Sequence, residues 1–218
     1  MNKKKLPLVA ATLASLVAPT VSAYQEGDMI VRGGAAFITS KEKTFSLGTI
    51  ASKIEKPSGS IQLEAAFTYM LSDRYGFELS TSTPYKHNWN VDYNEQFSGK
   101  AATIKVMPVN LVVQAYLLDE SNPLQPYVGF GINYTHYNVE TEKSTESKLN
   151  AKDTWGGVAQ FGADYMLSDS LMLNAAATYR QSETDLKAND DNQGVLVKSN
   201  GVSLSAWSFR IGLAYKFN

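Results

Sequence analysis

The sequence predicts an all-β protein, an eight-stranded antiparallel transmembrane β-barrel with short periplasmic turns and long extracellular loops. Three observations lead there. In Trp207-Ser208-Phe209-Arg210-Ile211-Gly212-Leu213-Ala214-Tyr215-Lys216-Phe217 the odd positions are large and apolar, and the even ones are small or charged. Successive side chains of a strand point to opposite faces, so one face of this segment is wholly apolar. The same alternation recurs in segments spread along the whole chain. The connections between those segments are short and long in strict alternation, the asymmetry of barrels that span an outer membrane.

The strands follow in order. Met29 to Ile38 is the first, with Arg32 on the face opposite Phe37. Ile61 to Leu71 is the second, with Leu63, Phe67 and Tyr69 alternating with Glu64, Ala66 and Thr68. Ser72-Asp73-Arg74 turns the chain into a third, where Tyr75, Phe77 and Leu79 oppose Glu78 and Ser80. A fourth runs from about Thr103 to Leu118 and a fifth from Tyr127 to Val139. Trp155 to Tyr165 is the sixth, Leu171 to Arg180 the seventh, and the segment at 207–217 the eighth. Turns at 72–74, 119–124 and 168–169 fall on one side with both termini, and polar loops at 39–59, 87–102, 140–152 and 183–201 on the other. A soluble lipocalin-like barrel would use the same strands with the apolar face turned inward. Tyr69, Tyr75, Trp155, Tyr165, Trp207 and Tyr215 near strand ends favour two membrane interfaces instead.

Composition agrees. Among 218 residues there are 12 Tyr, 9 Phe, 3 Trp and no Cys. No run of about 18 apolar residues exists to make a membrane helix, and a mean hydropathy of −0.22 suits a barrel, whose lipid-facing residues alternate with polar ones. Without Cys there is no disulfide and no thiolate metal site. A net charge of −1 offers no basic surface for nucleic acid. Residues 1–23 read as a cleaved signal peptide: Lys3, Lys4 and Lys5, then an apolar stretch from Leu6 to Val17, then Val21-Ser22-Ala23. Residues 24–218 form the barrel.

Several motifs carry a resemblance. They are Phe67-Thr68-Tyr69-Met70 with Gly76-Phe77-Glu78-Leu79, Thr83-Pro84-Tyr85-Lys86-His87, and Pro126-Tyr127-Val128-Gly129-Phe130-Gly131-Ile132-Asn133-Tyr134-Thr135. Lys152-Asp153-Thr154-Trp155-Gly156 and the C-terminal Arg210 to Phe217 complete the set. In their combined order they resemble the outer-membrane protein W (OmpW) family over nearly all of the mature chain. The resemblance implies a narrow channel that binds or passes small hydrophobic molecules and releases them sideways into the bilayer. Arg210–Phe217, ending on Phe217 before a final Asn218, also looks like the signal read by the outer-membrane assembly machinery.

Alternation assigns the lumen. Ile38, Ile104, Val106, Val112, Val158, Val202 and Leu204 face inward in its upper part, and Arg32, Glu64, Glu78, Asp164, Arg210 and Lys216 lower down. The expectation is an apolar funnel above a salt-bridged floor, since charges confined together must pair to offset desolvation. The apolar residues also suit plain filling of a small barrel, and the charges a structural core. Pro84 and Pro108, on adjacent strands, each lack the N–H a ladder needs, and so mark either a lateral opening or ordinary strand termination. His87 and His136 stand outside any Gly-x-Ser-x-Gly or His-Glu-x-x-His motif, so no enzyme is expected. Asp190-Asp191-Asn192 lacks calcium-loop spacing and reads as a solvated loop; neither metal nor cofactor is expected. The partners expected are outer-membrane lipid, small hydrophobic ligands and the assembly machinery, but no nucleic acid, with the barrel standing as a monomer. The alternative function is a closed structural or receptor barrel whose loops meet phage, colicin or host.

Overall fold

The computed structural model describes residues 23–40, 43–47, 50–54, 61–94, 97–141, 147–190 and 194–217. Residues 1–22 of the expected signal peptide lie outside the described residues, as do 55–60 and 191–193 of the loops. Among the described residues fourteen strands follow in chain order. They are β1 (Met29–Ser40), β2 (Lys43–Leu47), β3 (Ile50–Ile54), β4 (Ile61–Ser72), β5 (Tyr75–Ser82), β6 (Tyr85–Asn94) and β7 (Phe97–Tyr116). Then come β8 (Leu124–Thr141), β9 (Ser147–Ala151), β10 (Thr154–Met166), β11 (Leu171–Arg180), β12 (Glu183–Asp190), β13 (Gly194–Ser203) and β14 (Ala206–Phe217).

Antiparallel ladders run β1–β4–β5–β7–β8–β10–β11–β14, and β14 pairs back onto β1, so eight staves close on themselves. Partner by partner, Ile38 leads through Ser208, Thr178, Gln160, Gly129, Gln114, Gly76 and Met70. Met70 then donates its N–H to Asp28, ten residues from the starting point. That stagger tilts the strands and leaves an interior that side chains alone can fill.

The short turns are built from Ser and Asn. Ser72 Oγ accepts from the N–H of Tyr75 at 3.2 Å, Ser168 Oγ from that of Leu171 at 3.1 Å, and Asn122 Oδ1 from that of Leu124 at 3.0 Å. Such side chains mimic a backbone turn and reverse the chain in a few residues. At the opposite end the polar stretches differ from the loops expected there. Residues 85–94 form β6 and 97–102 the start of β7, 43–47 and 50–54 pair as β2 and β3, and β9, β12 and β13 make a second small sheet. These stretches are polar and lack the sustained alternation that reveals a strand in sequence.

Burial is inverted relative to a soluble barrel. Ile211, Phe130 and Leu63 are 73%, 69% and 69% exposed on the outside, while Arg32 and Glu78 inside are 0%. A continuous belt of this kind is a lipid-facing surface, and the lipocalin-like arrangement is ruled out. Aromatic clusters flank it: Tyr215 and Phe217 with ring centroids 4.7 Å apart at the end carrying the termini, Trp207 and Tyr179 at 5.1 Å and Tyr134 and Trp155 at 5.0 Å towards the other.

The closing seam depends on two glycines. Gly34 and Gly212 are direct partners between β1 and β14. A Cβ on Gly212 would lie 2.1 Å from the Gly33 carbonyl oxygen, and one on Gly34 2.3 Å from that of Ile211. Both contacts are with backbone, which cannot step aside. Gly212→Val is therefore expected to reduce the folded fraction sharply, read as loss of the faster-migrating band in unheated samples on a denaturing gel.

Candidate functional site in the barrel lumen

The lumen has three tiers, set by which inward residues each stave contributes. In the middle tier, Arg32 from β1 reaches partners on β4, β5, β7 and β10. Its Nη2 donates to Asp164 Oδ2 at 2.6 Å and to the Tyr116 hydroxyl at 2.7 Å, and its Nε to Asp164 Oδ1 at 3.3 Å. Its Nη1 donates to Thr68 Oγ1 at 2.5 Å and Glu78 Oε2 at 3.4 Å. Glu78 also accepts from Gln160 and Gln114 at 2.9 and 3.0 Å. Arg210 donates to Glu64 and Asn174, each at 2.9 Å, and lies 3.7 Å from Glu78. Asn174 in turn donates to Asp164 at 2.7 Å. One connected network thus crosses the lumen from Glu64 to Gln114. Each bond lies in a buried interior where it is strong and where its loss would strand a charge.

Below it the alternation gave no sign of a further layer. Ala23, Tyr24, Ile30, Met70, Tyr116, Tyr127, Met166 and Met172 pack into an apolar and aromatic plug. Tyr24 enters from the N-terminal segment and donates its hydroxyl to Asp164 at 2.6 Å, its ring 4.6 Å from that of Tyr116. Lys216 belongs to this level. It donates to the Ala23 carbonyl at 3.0 Å and lies 3.7 Å from Asp28, a partner that the expected set of Glu64, Glu78 and Asp164 did not include.

Above the network the lining turns apolar. Ile38, Tyr85, Ala102, Ile104, Val106, Tyr137, Val202, Leu204 and Ala206 form one buried cluster. Five of the seven residues assigned to the funnel are in it. Val112 and Val158 are buried too but stand lower, Val112 as the ladder partner of Glu78 and Val158 as that of Arg180. Tyr85 and His87, at the start of a stretch read as a polar loop, were not among the residues assigned to the lumen, yet both are buried.

The wall itself explains that. The β5–β7 ladder ends at Thr81 and Val109, and the β6–β7 ladder begins at Tyr85 and Val106. Ser82, Thr83 and Pro84 therefore face only Met107 and Pro108. One extra residue is a bulge, and it flips which face later side chains take. Thr81 Oγ1 donates to the Pro108 carbonyl at 2.8 Å, and the Thr83 N–H turns away to Leu63 at 2.8 Å. On its other side Pro108 stays in register with Thr135 of β8. Pro84 and Pro108 thus meet at an interruption of the β5/β6–β7 ladder, beside the apolar cluster.

Comparison with known proteins agrees with this geometry. The OmpW family profile matches residues 25–217. The chain belongs to the OmpW family. It is 35% identical to outer membrane protein W of Vibrio cholerae over 215 residues, covering 95% of this chain and 96% of that one. The crystal structure of OprG from Pseudomonas aeruginosa superposes with a TM-score of 0.78 at 29% identity, covering 91% of this chain and 99% of that one. The solution structure of Escherichia coli outer membrane protein W gives 0.58 at 28% identity, covering 89% and 100%. As an OmpW-family barrel the protein lies in the outer membrane, with its short turns and termini towards the periplasm.

At the outer rim of this OmpW-family barrel a polar cluster sits outside the lumen. Asp153, between β9 and β10, accepts from the Tyr134 hydroxyl at 2.7 Å and the Tyr137 N–H at 3.0 Å, with His136 Nδ1 at 2.9 Å. Burial pushes its carboxyl up, but the bonds from His136, Tyr137 and Tyr134 outweigh that and hold it below the usual range. The contribution is present above the ordinary carboxyl value of about 3.9 and is lost as pH falls through the lowered one. No group of His, Asp and Glu suited to hold a metal occurs among the described residues.

Proposed function

We propose that the barrel takes small hydrophobic molecules into its upper lumen from outside and releases them sideways into the bilayer. One observation carries this reading: the upper lumen is lined by Ile38, Ile104, Val106, Val202 and Leu204, where an aqueous pore would be polar. Apolar concave surfaces with few polar groups are ordinary ligand sites. The network around Arg32 and the plug around Tyr24 fill the lumen beneath, so the direct way to the periplasm is obstructed. The interrupted ladder at Pro84 and Pro108 lies at the level of the apolar cluster, and so offers the lateral exit.

A charge placed in the lining tests it. Leu204→Lys is expected to bring uptake of a hydrophobic fluorescent probe into proteoliposomes down towards the protein-free rate, with folded gel mobility kept. Uptake equal to wild type would remove the upper lumen from the route.

A further inference from the structure

One buried cation is left unused by the features above. Arg180 closes β11 and is 3% exposed. Its ladder partners are Ala206, a member of the apolar cluster, and Val158. The guanidinium therefore enters the lumen at the floor of that cluster. Its Nη2 lies 3.9 Å from Glu64 Oε2, too far for a hydrogen bond. Glu64 is already held by Arg210 Nη1 and Ser208 Oγ, each at 2.9 Å. Among the described residues Nε and Nη2 of Arg180 have no hydrogen-bond partner, and neither do the hydroxyls of Ser40 and Ser82. Ser40, Ala206 and Arg180 share one ladder row, and Ser82 stands opposite Glu64. Unmet donors thus come from β1, β5 and β11, with Ser40 beside the apolar cluster through Ala206 and Ser82 beside the polar network through Glu64. Leaving them so is costly, above all for a charged group.

We propose that Arg180, with Ser40 and Ser82, receives the carboxylate of a medium-chain fatty acid whose hydrocarbon tail lies among Ile38, Ile104, Val106 and Leu204. This rests on the reading that the upper lumen takes apolar molecules, and adds a polar head to them. The Nε and Nη2 edge of a guanidinium matches the two oxygens of a carboxylate in a bidentate pair. The two serine hydroxyls supply donors for the remaining lone pairs. Glu64 opposes such an anion weakly, because the closer Arg210 already neutralises it. A buried water is the competing occupant, and it would confer no preference for any head group.

The test is equilibrium binding of radiolabelled dodecanoate, dodecan-1-ol and dodecane to the barrel in nanodiscs, corrected with empty nanodiscs of the same lipid. Wild type is expected to hold dodecanoate about tenfold or more tighter than dodecan-1-ol, the factor of one charge-assisted pair. Arg180→Met should erase that preference and leave dodecane binding in place, and Ser82→Ala should narrow it. Should Arg180→Met not fold, the wild-type head-group series and Ser82→Ala decide. Equal binding of all three by wild type, or a preference that survives Arg180→Met, overturns the carboxylate site while the apolar lumen stands. Binding of none of the three overturns both.

Discussion

Arg32→Met is expected to lower the unfolding free energy of the barrel by about 3–5 kcal/mol, the range for removing one partner of a buried ion pair. The side chain is fully buried, and its charge is met by Asp164 and Glu78. Methionine of similar length would fill the space but remove both Arg32 bonds to Asp164, leaving among the described residues Tyr24 and Asn174 as its donors, and would take from the Tyr116 hydroxyl the bond Arg32 donates. Because Asp164 also anchors Tyr24, the loss should spread into the periplasmic plug. Reversible denaturant unfolding in lipid, followed by tryptophan fluorescence, reads the change. A loss below about 1 kcal/mol, the scale of an exposed pair, would mean that the network fills the lumen without holding it together.

Pro108→Ala is expected to slow uptake of a hydrophobic probe several-fold while leaving its final level unchanged. Alanine restores an N–H at the point where the wall is interrupted. The ladder could then extend from Val109 towards Val106 and narrow the gap facing Ser82, Thr83 and Pro84. Stability should rise slightly or hold, since a ladder bond is gained. An unchanged rate at equal folded yield would move the exit away from this seam.

How much of this was legible in the sequence follows from what enforces periodicity. Inside the bilayer outward positions meet lipid and inward ones the confined lumen. Arg32, Glu64, Glu78, Asp164 and Arg210 could therefore be placed by counting in twos, and they do meet. Counting failed where that constraint lapses. The bulge at Ser82–Pro84 shifts the count by one, and Tyr85 and His87 just beyond it passed for part of a polar loop. The segments of β2, β3, β9, β12 and β13 are polar and carry no sustained apolar alternation, so they passed for loops. Tyr24 and Asp28 precede β1 and belong to no repeat at all. Only closure of the barrel brings them under Met172 and beside Lys216. Arg180 was on the inward face by alternation, but its missing partners depend on Arg210 and Ser208 having claimed Glu64, which is a fact of three staves at once.

The most direct measurement records two quantities on the same wild-type proteoliposomes: entry of a hydrophobic probe and ion conductance. An apolar upper lumen over a filled floor predicts probe entry well above protein-free vesicles together with conductance at the level of the bare bilayer. Steady single-channel conductance with no gain in probe entry would contradict it, and would make the lumen a water-filled path past Arg32.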